Sequence, residues 1–372
     1  MSSERTVQGD GACSVGSGPE WAGDGHLPCR TAVRVLVVED SESQRARLVQ
    51  YLQADGRFMV VGALGSALEA RTAIRASAPD VMTLDIDLPG MDGIEFLRRV
   101  MRLRPMPVVI LSGLSGRESC LVTTALSLGA VACLDKCQAR FRPGPSGFAD
   151  QLMEAARTKP NAGFAFAARA GQPAAPKRRW NGRIVLIGAS TGGVQALERL
   201  LPALGGDGPP VLISQHMPEP FLERLAARLY GQGGMRVSLA RHGIRLAPGH
   251  AYIAPGGQTH LGVAVSALGG ASLTLTRDVA GPCPSVAHLF ASAMPMAPRI
   301  LAVMLSGMGR DGADAMLALR RAGACCLSQD AASSVVFGMP SAALRLGAAE
   351  CEVPLSQMAD KILALTTEVM PL

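Results

Sequence analysis

Regularly spaced cysteine pairs are missing from this chain. Cys325 and Cys326 are adjacent, the other seven cysteines are scattered, and no CxxC pair occurs. That pattern excludes a disulfide framework or a zinc site, so the thiols are expected to be reduced and mostly buried. Aromatic residues make up only 4% of the chain, so its cores must rest on Ala, Val, Leu, Ile and Met. Apolar runs near the ~20 residues of a membrane span are absent. Residues 1–31 are rich in Gly and Ser, carry Glu4, Asp10, Glu20 and Asp24, and lack the apolar stretch of a secretory signal. These absences lead to the expectation of a soluble, cytoplasmic protein with no membrane insertion. Acids are also lacking between Arg157 and Arg183, a stretch holding seven basic residues. Because the whole chain carries +6, everything outside that stretch sums to about −1. The basicity therefore belongs to one Ala/Gly/Pro-rich segment, read as a solvated linker, with docking onto an acidic partner as the other use. It gives no ground for nucleic-acid binding.

At 372 residues the chain exceeds what one core usually serves, and two domains are expected. The expected division is a disordered extension over 1–31, a first domain over 32–157, the linker over 158–182 and a second domain over 183–372. In the first domain, strand-like runs at Val33–Val38, Phe58–Val61, Val81–Leu84, Val108–Leu111 and Val131–Leu134 alternate with helical patterns. The second has comparable runs at Ile184–Ile187, Val211–Ser214 and Ile300–Leu305. Between Met235 and Leu275 the strand-like pieces are broken by Pro-Gly and Gly-Gly steps, which suggests hairpins laid against the main sheet. Strand-helix alternation implies α/β architecture: two doubly wound parallel sheets, with ligand sites at the carboxyl ends of the strands.

Two sets of reactive side chains fall at such strand ends. The first is Glu39-Asp40, Asp85, Ser112 and Lys136, from four different strands. A phosphorylatable aspartate needs a divalent cation, acidic ligands for it and an opposing positive charge. Mg²⁺ prefers oxygen ligands and usually takes one or two carboxylates plus water and phosphate oxygens. Asp40 and Asp85 can supply the carboxylates, Glu39 can act through water, Lys136 can reach a phosphate oxygen and Ser112 offers a hydroxyl. Asp87 and Asp92 are read as turn-forming side chains.

The second set begins with Gly188-Ala-Ser-Thr-Gly192 at a strand-to-helix turn. Such a turn exposes a serine oxygen near free N–H groups, although the loop alone would equally suit a phosphate. His216 follows another strand and could take the Ser190 proton, while Asp311 follows a third and could hold the imidazole. The order Ser, His, Asp differs from the α/β-hydrolase order.

Val35-Leu-Val-Val-Glu-Asp-Ser41 and Asp80–Gly93 closely resemble response-regulator receiver domains. The resemblance makes Asp85 the phosphoacceptor and gives the Asp87 backbone carbonyl to the metal. Two positions depart from the receiver pattern: Cys137 replaces the proline after the lysine, and Cys133 takes a position that is usually bulky.

The second half resembles the chemotaxis-specific protein-glutamate methylesterase (CheB) family. The resemblance rests on Ile187–Gly193, Gln215–Pro218, Leu246–Gly256, Pro284-Ser285, Gly307–Ala313 and Phe337–Pro340. It implies Ser190 as nucleophile, His216 as base and then acid, Asp311 as orienting carboxylate, and the Met308 N–H as oxyanion donor. It further implies hydrolysis of receptor glutamate methyl esters, and deamidation of glutamines, with no cofactor at the hydrolase site. Methyl-accepting chemotaxis receptors are the expected substrates and a chemotaxis histidine kinase the phosphodonor. An esterase acting on another protein in a different pathway, and a non-catalytic adaptor, are the competing readings.

Overall fold

A computed structural model describes residues 32–88, 90–113, 116–136, 148–158, 178–265, 270–277 and 281–370. The expected N-terminal extension, most of the linker and Cys137 lie outside the described residues.

The first sheet is built from β1 (Val33–Val38), α1 (Glu42–Ala54), β2 (Phe58–Leu64), α2 (Ala67–Ser77), β3 (Val81–Asp85), α3 (Gly93–Leu103), β4 (Val108–Ser112), α4 (Gly116–Ser127) and β5 (Ala132–Asp135). α5 (Phe148–Ala156) completes that half. The five strands pair in parallel in the order β2-β1-β3-β4-β5, one of the common doubly wound arrangements. Successive strand side chains point to opposite faces, and helices cover both. Val35 and Val37 of β1 therefore join one apolar cluster while Leu36 and Val38 join another. Asp92 caps α3 by accepting the Ile94 amide, so its carboxylate serves the local turn.

The second half opens with β6 (Arg178–Trp180), β7 (Ile184–Ala189), α6 (Gly193–Leu204), β8 (Val211–Gln215), α7 (Glu219–Gly231), β9 (Arg236–Leu239) and β10 (His250–Ile253). It continues through β11 (Thr259–Val265), β12 (Ala271–Arg277), α8 (Val286–Ser292), β13 (Ile300–Met304) and α9 (Ala313–Arg321). Last come β14 (Cys325–Gln329), α10 (Met339–Arg345), β15 (Cys351–Val353), α11 (Leu355–Thr366) and β16 (Thr367–Val369). Seven strands form a parallel sheet in the order β15-β14-β13-β7-β8-β10-β9.

The middle section differs in part from the hairpin expectation. β11 and β12 do form an antiparallel pair, but β9 and β10 enter the main sheet as parallel strands. The Pro248-Gly249 step there closes a crossover rather than a hairpin: the Gly249 amide donates to Gly208 and its carbonyl accepts from Arg236. Arg178–Trp180, in the segment read as linker, pairs antiparallel with the C-terminal Thr367–Val369.

The two sheets share packing. α4 lies against α6 and α7, and its Val122, Ala125 and Leu126 belong to the same apolar cluster as Leu197, Phe221 and Leu222. Polar contacts cross at the same place. The Ser127 hydroxyl donates to the buried Glu198 carboxylate at 2.6 Å, and the Gln195 amide donates to the Leu126 carbonyl at 2.7 Å.

Candidate active site and acidic pocket

Every residue of the first reactive set lies at the carboxyl end of its strand. Glu39 and Asp40 follow β1, Asp85 ends β3, Ser112 ends β4 and Lys136 follows β5. One oxygen each from Glu39, Asp40 and Asp85 falls within 4.8 Å of the others. Three carboxylates at that spacing make a hard, oxygen-only donor set, which fits a divalent cation such as Mg²⁺. The Lys136 Nζ closes the pocket at 2.7 Å from Asp85 Oδ2 and 2.9 Å from Glu39 Oε2. Glu39 and Asp85 are buried, whereas Asp40 is exposed. Burial, reinforced by the Asp85 charge, pushes the Glu39 carboxyl up to about 7 against the pull of Lys136. Burial also works against the Lys136 charge, but Asp85 and Glu39 outweigh it and raise the lysine above its ordinary range. Asp87 has its side chain exposed and its amide on Asp85 Oδ1 at 3.2 Å.

Three parallel strands of the larger sheet deliver the second set. Ser190 follows β7, His216 follows β8 and Asp311 stands in the loop after β13. The chain turns sharply after Ser190 because Gly192 adopts φ +80, where a side chain would be strained. A Cβ there would also lie 2.5 Å from Val335. Gly307 has a different reason to be bare: a Cβ would sit 2.8 Å from the Ser190 Cβ and 2.4 Å from the Met339 sulfur. The Ser190 amide donates to the Ser306 carbonyl, which ties the end of β7 to the Asp311 loop.

His216 and Asp311 meet directly, with Nε2 at 2.8 Å from Oδ2. Asp311 accepts three more groups: the Val286 amide at 2.7 Å, the Ala287 amide at 3.1 Å and the Ser285 hydroxyl at 3.3 Å. Burial opposes its charge, but the bonds from His216, Val286 and Ala287 prevail and hold it below the ordinary carboxylate range. Ser190 lines the same cavity as the His216–Asp311 pair, and no hydrogen bond joins its hydroxyl to His216 among the described residues. Met308 lines it too, and no described acceptor takes its N–H.

That cavity has a volume of about 1140 Å³, and part of its lining comes from the first half of the chain: Leu126 of α4, Ala130 and Val131 before β5, Ala132–Leu134 of β5, and Asp150, Gln151 and Glu154 of α5. Cys133, the departure from the receiver pattern, is among these residues and is half-buried. The sequence reading did not single out His260 or the α8 amides and gave Ser285 no role. A signal was present, since a serine followed by the apolar run Val286-Ala-His-Leu-Phe290 reads as a helix N-cap. Nothing in the sequence said that this helix would point at Asp311.

A family model for the CheB methylesterase matches residues 185–362, and one for the response regulator receiver domain matches residues 35–142. A Caulobacter vibrioides protein named protein-glutamate methylesterase/protein-glutamine glutaminase 1 is 43% identical over 340 residues, covering 90% of this chain and 98% of that protein. A protein-glutamate methylesterase/protein-glutamine glutaminase from Agrobacterium fabrum is also 43% identical, over 90% of this chain and 97% of its own length. Among solved structures, the Thermotoga maritima CheB methylesterase catalytic domain is 32% identical, covers 50% of this chain and 98% of its own, and gives a TM-score of 0.47. With a receiver match in its first half, a methylesterase match in its second and relatives aligned along nearly their whole length, this chain belongs to the protein-glutamate methylesterase/protein-glutamine glutaminase family.

Proposed function

We propose that the protein hydrolyses glutamate γ-methyl esters, and deamidates glutamines, on methyl-accepting chemotaxis receptors, under the command of a phosphoryl group carried by Asp85. The observation that carries this reading is the His216–Asp311 bond, which opens on the same cavity as Ser190.

Because Nε2 is the ring nitrogen on Asp311, its proton is held there and the Nδ1 lone pair becomes the base. This reverses the nitrogen usage of the serine-protease arrangement but keeps its logic. Ser190 Oγ attacks the ester carbonyl carbon as its proton passes to Nδ1, and the carbonyl oxygen becomes an oxyanion facing the Met308 N–H. Collapse breaks the bond to the methoxy oxygen, which leaves as methanol with the proton from Nδ1. Water then attacks the acyl-enzyme, gives a proton to Nδ1, and the glutamate leaves as that proton returns to Ser190. With glutamine the leaving group is ammonia.

In the receiver half, the Glu39, Asp40 and Asp85 carboxylates with the Asp87 carbonyl would hold Mg²⁺. When bound, the cation neutralises charge between the Asp85 carboxylate and an incoming phosphoryl group. A histidine kinase would donate that group to an Asp85 oxygen, after which Lys136 and Ser112 bind the phosphate. The receiver wall of the cavity then loosens, because α4 follows the strand that ends in Ser112 and β5 leads directly into Lys136. Ser190→Ala should abolish methanol release from methylated receptors; undiminished release would end this reading. A serine-reactive probe that labels Ser190 excludes the non-catalytic adaptor.

A further inference from the structure

Ser285 takes no part in the bond-making steps above, yet it is 4% exposed and its hydroxyl lies on the Asp311 carboxylate. The geometry points to Ser285 and His260 as positioning residues of the ester-cleaving site, an assignment that rests on the triad reading. His260 Nδ1 accepts the Ser285 N–H at 3.2 Å, and the ring is 2% exposed. Burial pulls its pKa below the ordinary histidine range despite the nearby Asp311 charge, so the ring stays neutral with Nδ1 as acceptor. The His288 ring packs beside it, with centroids 5.4 Å apart.

Anchored in this way, Ser285 caps α8 and turns three donors toward Asp311. Its own hydroxyl accepts the His288 amide at 3.2 Å, which leaves its proton for Asp311. The Val286 amide and His216 Nε2 both meet Oδ2, while the Ala287 amide and Ser285 Oγ meet Oδ1. The carboxylate is held at both oxygens and cannot rotate without breaking bonds to its charge. Its orientation sets that of the imidazole, and the imidazole sets where Nδ1 points relative to Ser190. His260 thus acts two hydrogen bonds away from Asp311, through Ser285.

An acceptor at the Nδ1 position is all this role requires, and an asparagine Oδ1 sits at nearly the same place along the side chain. The test compares full-length His260→Leu, His260→Asn, Ser285→Ala and Asp311→Asn, each with phosphodonor, on membranes carrying radiomethylated receptors. kcat and KM for methanol release are measured separately. Ser285→Ala should lower kcat about 10- to 100-fold, the range for a hydrogen bond to a charged group, and His260→Leu about 3- to 10-fold through the neutral bond it removes, both with KM unchanged. His260→Asn should recover most of the His260→Leu loss. A His260→Leu kcat within about twofold of the parent, or an equal loss in His260→Asn, overturns the assignment. Should His260→Leu fail to fold, Ser285→Ala removes a single oxygen and decides by itself, unchanged kcat being fatal. Asp311→Asn separates the two claims: full activity there brings down the triad, whereas loss there with full activity in Ser285→Ala brings down only the positioning role.

Discussion

Ser190, His216 and Asp311 differ in how completely the structure defines them. The His216–Asp311 contact is closed, while Ser190 waits on the same wall without a bond to the imidazole. Asp311→Asn should leave the fold intact but misassign the ring proton, with kcat falling by about 10⁴ as for other triads. Steady-state methanol release checks this, and a loss below tenfold would show that Asp311 is not the orienting group. Glu39 offers a test through pH. Its carboxyl is pushed up to about 7 from 4.5, so between those values the folded protein holds a proton that the unfolded chain has released. That contribution to stability is full below the lower value and is lost as pH rises through the upper one. Cation binding must displace the same proton, so Mg²⁺ affinity should rise roughly tenfold between about pH 6 and about pH 8. Titration calorimetry in buffers of different protonation enthalpy would read both the affinity and the released proton. A flat affinity would contradict this environment for Glu39.

Among the elements, α4 has the most to explain, because it belongs to the receiver-like half yet packs on α6 and α7. Its Ser127 donates to Glu198, whose carboxylate also takes Arg228 of α7. Each such bond is worth about 1 kcal/mol, or somewhat more when one partner is charged. Ser127→Ala removes the crossing bond without touching either candidate site, so activity without phosphodonor should rise several-fold as the packing of α4 on α6 and α7 weakens. Unchanged basal activity would mean that the α4 contact does not restrain the Ser190 site. A second element-level prediction concerns the loop after β13. Gly307→Ala places a methyl 2.8 Å from the Ser190 Cβ, with the Met339 sulfur still closer. Both the thermal midpoint and kcat should fall, and full activity would show that the loop gives way freely.

Much of the whole molecule was legible because parallel strands buried on both faces announce themselves. Runs such as Val-Leu-Val-Val and Ile-Val-Leu-Ile are hard to place anywhere else, and reactive residues just beyond them fall at the sheet's carboxyl edge. β14 and β15 were illegible for the opposite reason: Cys-Cys-Leu-Ser-Gln and Cys-Glu-Val carry little periodicity, and only the pairing of β14 with β13 and of β15 with β14 makes them strands. β9 and β10 looked like hairpin arms because Pro-Gly and Gly-Gly steps mark chain reversals without saying which strand is joined. His260 and Ser285 could not be tied to Asp311 because the approach of α8 depends on tertiary packing alone. That residues of α4 and β5 would line the cavity holding Ser190 was not legible either, and it leads to the central claim. One measurement addresses that claim directly: the rate of methanol release by the full-length protein with Mg²⁺, with and without a small phosphodonor, beside Asp85→Asn. The phosphodonor should accelerate the parent protein and leave Asp85→Asn at the unstimulated rate. Equal rates with and without the donor in the parent, or equal stimulation of both proteins, would contradict command of the Ser190 site by Asp85.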